Sequence, residues 1–409
     1  MLSLTLHGAI PLGHGGETFD IGVNDGTIVA VEKSLPRGER AYDLGGKLVT
    51  PGFCESHIHL DKACILERCS LKGGIQDAIA EVATLKGAFT EEDVAARARR
   101  ALSKCIVNGT QFMRTHVEVD PTVGLTGFHG VRTALQDMAF AVDATICVFP
   151  QDGLTNLPGT EELLVEALQR GAHSIGAAPY VDPDPKGQID RIFALARRFD
   201  VDVDMHLDFG GDPSALDIEH VMARTDEYGW GGRVTVGHVT RFARLSPQRF
   251  EDLSRRLADA GVAVTVLPAT DLYLMHRDHT GDMDPPRGVT PLHRHGAHGV
   301  TCSLATNNIL NPFTPYGDGS ALRQANLYAN IAQLGGAAAM VDCFEMITDG
   351  PAKLMNLAGY GNKVGTPADL VVMDCDGPAA AVAELCQPLY AFKSGSLTVS
   401  RAAPQIHCP

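Results

Sequence analysis

Between residues 48 and 359 the chain alternates short apolar stretches with amphipathic ones, eight times over, and few folds accept that rhythm. Besides the stretch holding His57 and His59, the strand candidates are 110–119, 144–151, 174–181, 201–208, 233–239, 262–269 and 300–307. The segments 91–108, 160–170, 189–199, 218–228 and 247–260 carry apolar residues near helical spacing. Strictly alternating strands and helices predict an α/β protein, a parallel (β/α)8 TIM barrel. An open doubly wound sheet is the competing reading, but no Gly-x-Gly-x-x-Gly turn follows the first strand.

The two ends read differently. Residues 1–47 break into short strands at 3–7, 19–24 and 27–32, with an Asp25-Gly26 turn, and 368–373 and 390–399 repeat that texture. Neither end has the apolar surface to fold alone, so both are expected to meet in one small β-sandwich. The expected division is residues 1–50 and 361–409 for the sandwich and 51–360 for the barrel. The polar stretch 270–291, with Asp271, His276, Asp278, His279 and Asp282, reads as a long solvated loop over the active face.

Composition narrows the class of partner. A net charge of -15 argues against nucleic acid or an anionic membrane surface, both of which need a basic face. The 44% hydrophobic and 20% charged content is that of an ordinary globular enzyme. No stretch has the length of a membrane span, and the N-terminus lacks a basic region followed by an apolar core, which points to the cytoplasm. Ten scattered cysteines with no Cys-x-x-Cys suggest neither a disulfide framework nor a zinc ribbon. A small molecule is the expected partner, and self-association as a homo-oligomer is compatible with the composition.

Catalytic groups of such barrels gather at the C-terminal ends of the strands. His57 and His59 end the first strand at i and i+2, on one face, where two imidazoles make half of a site for zinc or iron. His116 ends the second strand and Gln151 the third. His206 and Asp208 end the fifth, again at i and i+2; His238 ends the sixth, and Asn307 and Asn308 the eighth. Each has a bland reading alone. Together they are hard to explain as packing, because an unpartnered buried polar group costs about 1–3 kcal/mol.

These motifs resemble the amidohydrolase superfamily, and within it the bacterial cytosine deaminases and N-isopropylammelide amidohydrolases. The resemblance rests on Pro51-Gly52-Phe53, His57-Ile58-His59-Leu60-Asp61, Arg114-Thr115-His116-Val117, Phe149-Pro150-Gln151-Asp152-Gly153 and Pro312-Phe313-Thr314-Pro315-Tyr316-Gly317. It implies one divalent metal, zinc or iron, held by His57, His59 and His206, with the eighth-strand position, Asn307, completing the set. His238 would meet the metal water or the substrate. Gln151, His116, Asn308 and Phe209 become the expected substrate contacts. Lys62 matches a lysine of the ammelide hydrolases, and a salt bridge to a nearby acid explains it equally well.

Two departures stand out. The family's eighth-strand aspartate is Asn307 here, a neutral amide that holds a cation less firmly and cannot act as a base near pH 7. The glutamate that cytosine deaminases carry three residues after the fifth-strand histidine is Phe209, which leaves Asp208 as the expected catalytic acid and base beside His238. The expected activity is metal-dependent hydrolysis of a C–N bond, by an amidohydrolase or deaminase, in a small nitrogen-rich, heterocyclic substrate. The alternative is a diverged barrel that only binds, or that catalyses a lyase or isomerase step.

Overall fold

The computed structural model describes residues 1–71, 73–277, 286–402 and 404–407. Strands β1 (Leu4–Pro11), β2 (Phe19–Asn24), β3 (Thr27–Glu32) and β4 (Arg40–Pro51) precede the barrel. The barrel strands are β5 (Phe53–Ile58), β6 (Thr110–Glu118), β7 (Asp143–Phe149), β8 (Ser174–Ile175), β9 (Asp202–Leu207), β10 (Val234–His238), β11 (Val262–Val266) and β12 (Cys302–Leu304). They form an eight-stranded sheet in sequence order, parallel throughout. Its two edges meet where His59 N–H donates to the Asn307 carbonyl (2.8 Å) and Asn307 N–H to the His57 carbonyl (2.8 Å). The (β/α)8 reading is therefore correct, and the seam of the barrel runs through the histidine motif.

The remaining strands, β13 (Leu370–Met373), β14 (Pro388–Lys393) and β15 (Ser396–Ser400), join β1–β4 in one seven-stranded mixed sheet ordered β15-β14-β13-β4-β1-β2-β3. Strand alternation lets β13 serve two cores. Leu370 and Val372 join Leu4, Leu6, Ile21, Val23 and Phe392 inside the small sheet, while Val371 and Met373 face the barrel core. The chain passes from one sheet to the other at Gly52, where a Cβ would lie 2.3 Å from Gln111 Oε1, so only glycine fits.

Several boundaries differ from the sequence reading. The stretch 174–181 gives a two-residue β8 and then a 3-10 turn at Pro179–Val181, because Pro179 has no N–H to donate to a ladder. The run 390–399 is two antiparallel strands, turned at Ser394 and Gly395, both at positive φ. The expected strand 262–269 stops at Val266, and Pro268 opens a helix, Pro268–Leu274, inside what reads as loop. Asp278, His279 and Asp282 lie outside the described residues. Among the described residues, no helix is long and apolar enough to cross a membrane.

Candidate active site

The side chains of His57, His59 and His206 converge at the C-terminal mouth of the barrel. His206 Nε2 stands 3.1 Å from His57 Nε2 and 2.9 Å from His59 Nε2. Two nitrogens on one tetrahedral ion at about 2.0–2.1 Å would stand about 3.4 Å apart, so His206 is close enough to share an ion with either of the other two rings. His57, His206 and His238 also offer ring nitrogens that all lie within 4.8 Å of one another. Burial disfavours charge on these rings. It brings His57 down to about 3, helped by His116, and holds His59 and His206 well below the ordinary histidine range. Neutral imidazoles are what a metal needs. Asn307 Oδ1 is buried at the same place without a hydrogen-bond partner, an oxygen lone pair that a cation would satisfy. The residues present fit a divalent ion.

Beneath this cluster lies a charged layer. His116 stacks on His57 with ring centroids 3.7 Å apart and planes at 22°. Asp204 Oδ1 stands 3.5 Å from His116 Nε2 and 3.8 Å from His57 Nδ1, and Asp204 Oδ2 accepts from Arg114 at 3.0 Å. Burial opposes charge on His116, but Cys147 and Asp204 outweigh it and raise the ring to about 9. His116 therefore stands behind His57, fully buried and not among the residues that line the pocket.

His238 closes the other side. Its Nδ1 is 2.6 Å from Asp271 Oδ1, and the second Asp271 oxygen accepts from Leu267 N–H at 3.2 Å. Both side chains are buried, and burial raises the Asp271 carboxyl although His238 opposes the shift. Backbone strain gathers here: His238, Val239 and Asn307 all adopt left-handed conformations, which a β-branched valine strongly disfavours.

The strand order, the neutral three-histidine cluster and the flanking sheet coincide with one family. The amidohydrolase family model matches residues 40–144 and 135–388. The chain belongs to the amidohydrolase family. It is 26% identical over 396 residues to N-isopropylammelide isopropyl amidohydrolase of Pseudomonas sp. (strain ADP), covering 93% of each. It is 29% identical over 370 residues to pterin deaminase of Rhizobium rhizogenes (strain K84), covering 88% of this chain and 83% of the relative. Its structure is similar to that of 5-methylcytosine deaminase from Klebsiella pneumoniae bound to 5-fluorocytosine, with a TM-score of 0.93, 26% identity and 99% of each chain covered. As an amidohydrolase it is an enzyme of carbon–nitrogen bonds other than peptide bonds.

The pocket of this amidohydrolase is walled by His59, Lys62, Gln151, His206, His238 and Asn308, with Asn307, Phe313, Ile75, Tyr180, Thr270 and Leu274 completing it. The free space among these side chains is small, ≈ 20 Å³. Ile75, Tyr180 and Leu274 separate it from an outer cleft of ≈ 510 Å³, which Phe209 lines beside Arg241 and His276. Phe209 thus belongs to the approach rather than to the inner wall. Another cavity, ≈ 450 Å³, includes Val300 and Thr301 just before β12, at the opposite end of the barrel from the histidines. Gln151 is buried with its Nε2 unpartnered, while Asn308 Oδ1 accepts from Asn311 Nδ2 at 2.6 Å. Lys62 Nζ pairs with Glu118, and its side chain also lines the pocket.

Asp208 requires correction. The period of a strand puts it beside His206, but its φ of +48° turns the carboxylate away. Oδ1 accepts from Asp217 N–H (2.8 Å) and Oδ2 from Ile218 N–H (3.1 Å), at the start of the helix Ile218–Tyr228. Burial raises it to about 6, and it does not line the pocket. The carboxylate at hand is Asp271, hidden in the sequence among residues read as a solvated loop. Pro268, a favoured first helical residue directly after an apolar strand, was the signal that this stretch is structured.

Proposed function

We propose that this amidohydrolase hydrolyses a C–N bond, as a deaminase or amidohydrolase, in a small nitrogen-rich heterocycle. The observation that carries the reading is the convergence of three neutral imidazoles beside the His238–Asp271 pair, in a pocket whose amide Gln151 has an unpartnered donor. Relatives named for a pterin, a methylcytosine and an ammelide support a nitrogen heterocycle as substrate. His57, His59 and His206 would hold one divalent ion, zinc or iron, with Asn307 Oδ1 beside them. When bound, that ion supplies the Lewis acidity that lets water act as a nucleophile near neutral pH.

The chain's own residues supply the rest. Asp271 fixes the Nδ1–H tautomer of His238, so Nε2 is the nitrogen that takes a proton from the attacking water and returns it to the leaving nitrogen. Gln151 Nε2 donates to a ring or carbonyl acceptor, and Lys62 and Asn308 fix the ring's orientation. Ile75 and Leu274 exclude bulk water. The setting that fits this chemistry is cytoplasmic, with a small molecule as the only partner the reaction needs.

The test is metal analysis of the purified protein together with ammonia or amine release from a panel of aminated heterocycles. Near-stoichiometric metal with turnover supports the reading. A protein that takes up no metal and releases no nitrogen from any member of the panel overturns it in favour of a binding or non-hydrolytic role.

A further inference from the structure

Beyond β13 the chain stays beside the approach to β14 for one more step. Met373 pairs with Pro388, and Asp374 N–H donates to the Gln387 carbonyl at 3.0 Å. One step further in the same antiparallel register, Cys375 faces Cys386. The hydrogen bond at the preceding pair brings Cys375 and Cys386 side by side across the base of the excursion between them. Cys375 Sγ donates to Gly377 O at 3.4 Å and Cys386 Sγ to Ala380 O at 3.6 Å, the two thiols interact electrostatically, and both residues are half-buried. Between them the chain makes the helix Pro378–Glu384 and turns back through Leu385 at φ +53°. Asn326 Nδ2 of the helix Ala321–Ile331 donates to Val382 O at 2.8 Å, which fastens this excursion to the barrel's outer layer.

We propose that Cys375 and Cys386 form a redox-sensitive dithiol, which closes to a disulfide and staples this helical excursion at the joint between the small sheet and the barrel. The oxidant is a low-molecular-weight disulfide of the glutathione type. The thiolate of one cysteine attacks a sulfur of the oxidant, breaking its S–S bond and releasing one small thiol. The second cysteine then attacks the mixed disulfide and expels the other small thiol. Two protein thiols are oxidised, one small disulfide is reduced to two thiols, and no other reactant is needed. Burial pushes the Cys375 thiol up to about 12 and raises Cys386 as well, so little thiolate forms near neutral pH and closure is slow.

The experiment incubates the folded full chain with oxidised glutathione, quenches with acid, alkylates and digests. The expected product is a peptide pair linked through Cys375 and Cys386, two hydrogens lighter than the reduced pair. Cys386→Ser should leave Cys375 unlinked. Oxidised wild type should melt roughly 3 °C above its reduced form, a difference absent from Cys375→Ser. Free alkylation of both thiols after oxidation overturns the proposal. So does accumulation of separate glutathione adducts on each cysteine without a link. The linked peptide is read on wild type, so misfolding of a variant would not obscure the answer.

Discussion

The imidazole of His238 and the carboxylate of Asp271 form a buried pair, 2.6 Å apart, although one ends β10 and the other lies in a helix after β11. Asp271 holds the ring in a single tautomer and stabilises the imidazolium that forms on proton uptake. Asp271→Asn should therefore lower kcat about 10²–10⁴-fold while leaving KM and metal content nearly unchanged. Steady-state kinetics on the substrate found in the panel, with metal analysis of the same sample, checks this. Full kcat in that variant would remove His238 from the proton route.

Metal retention is a separate matter. His57→Ala removes one of three converging nitrogens and should release most of the ion while the far-ultraviolet circular dichroism stays native. Asn307→Asp should act oppositely, because a carboxylate attracts a divalent cation where an amide offers only a dipole. Competition against a chelator ranks the three proteins, and the expected order is Asn307→Asp, wild type, His57→Ala. Any other order places the ion elsewhere.

Asp208 should behave as a helix anchor. Its oxygens cap the N–H groups of Asp217 and Ile218, so Asp208→Ala should cost about 1–2 kcal/mol in urea denaturation. Metal content should not change, and kcat should fall less than tenfold. A loss of turnover comparable to that of Asp271→Asn would return Asp208 to the reaction.

Glu118 links the site to acid stability. Burial opposes its charge, but Lys62 and Lys86 outweigh that and bring the carboxyl down to about 2. Because the folded value lies below the free value of about 4.3, the stabilisation is complete above that pH and is lost as pH falls through about 2. Glu118→Gln should destabilise the protein by about 3 kcal/mol at pH 7, since it leaves buried ammonium groups short of a partner. The gap from wild type should narrow below pH 4 and close near pH 2. A gap independent of pH would mean the pair contributes shape rather than charge.

Local period carried much of this into the sequence. His57 and His59 share a face because strands repeat every two residues, and the helices at 218–228 and 247–260 were legible from spacing alone. Period fails where the backbone leaves its regular region. Asp208 is displaced by a left-handed φ that no pattern announces, and His116 is hidden because stacking behind His57 depends on how neighbouring strands are tilted. The Asp271 partnership needs β10 and β11 side by side, which is tertiary information. The neutral state of the three histidines is likewise a property of burial, which composition does not reveal.

The double duty of β13 has a consequence for biosynthesis. β4 emerges early from the ribosome, yet its antiparallel neighbour β13 follows only after nearly all of the barrel has been translated. Until then one flank of β4 offers bare N–H and carbonyl groups, with Val49 and Thr50 among them, to any passing strand. The nascent chain must shelter that edge for most of its time on the ribosome.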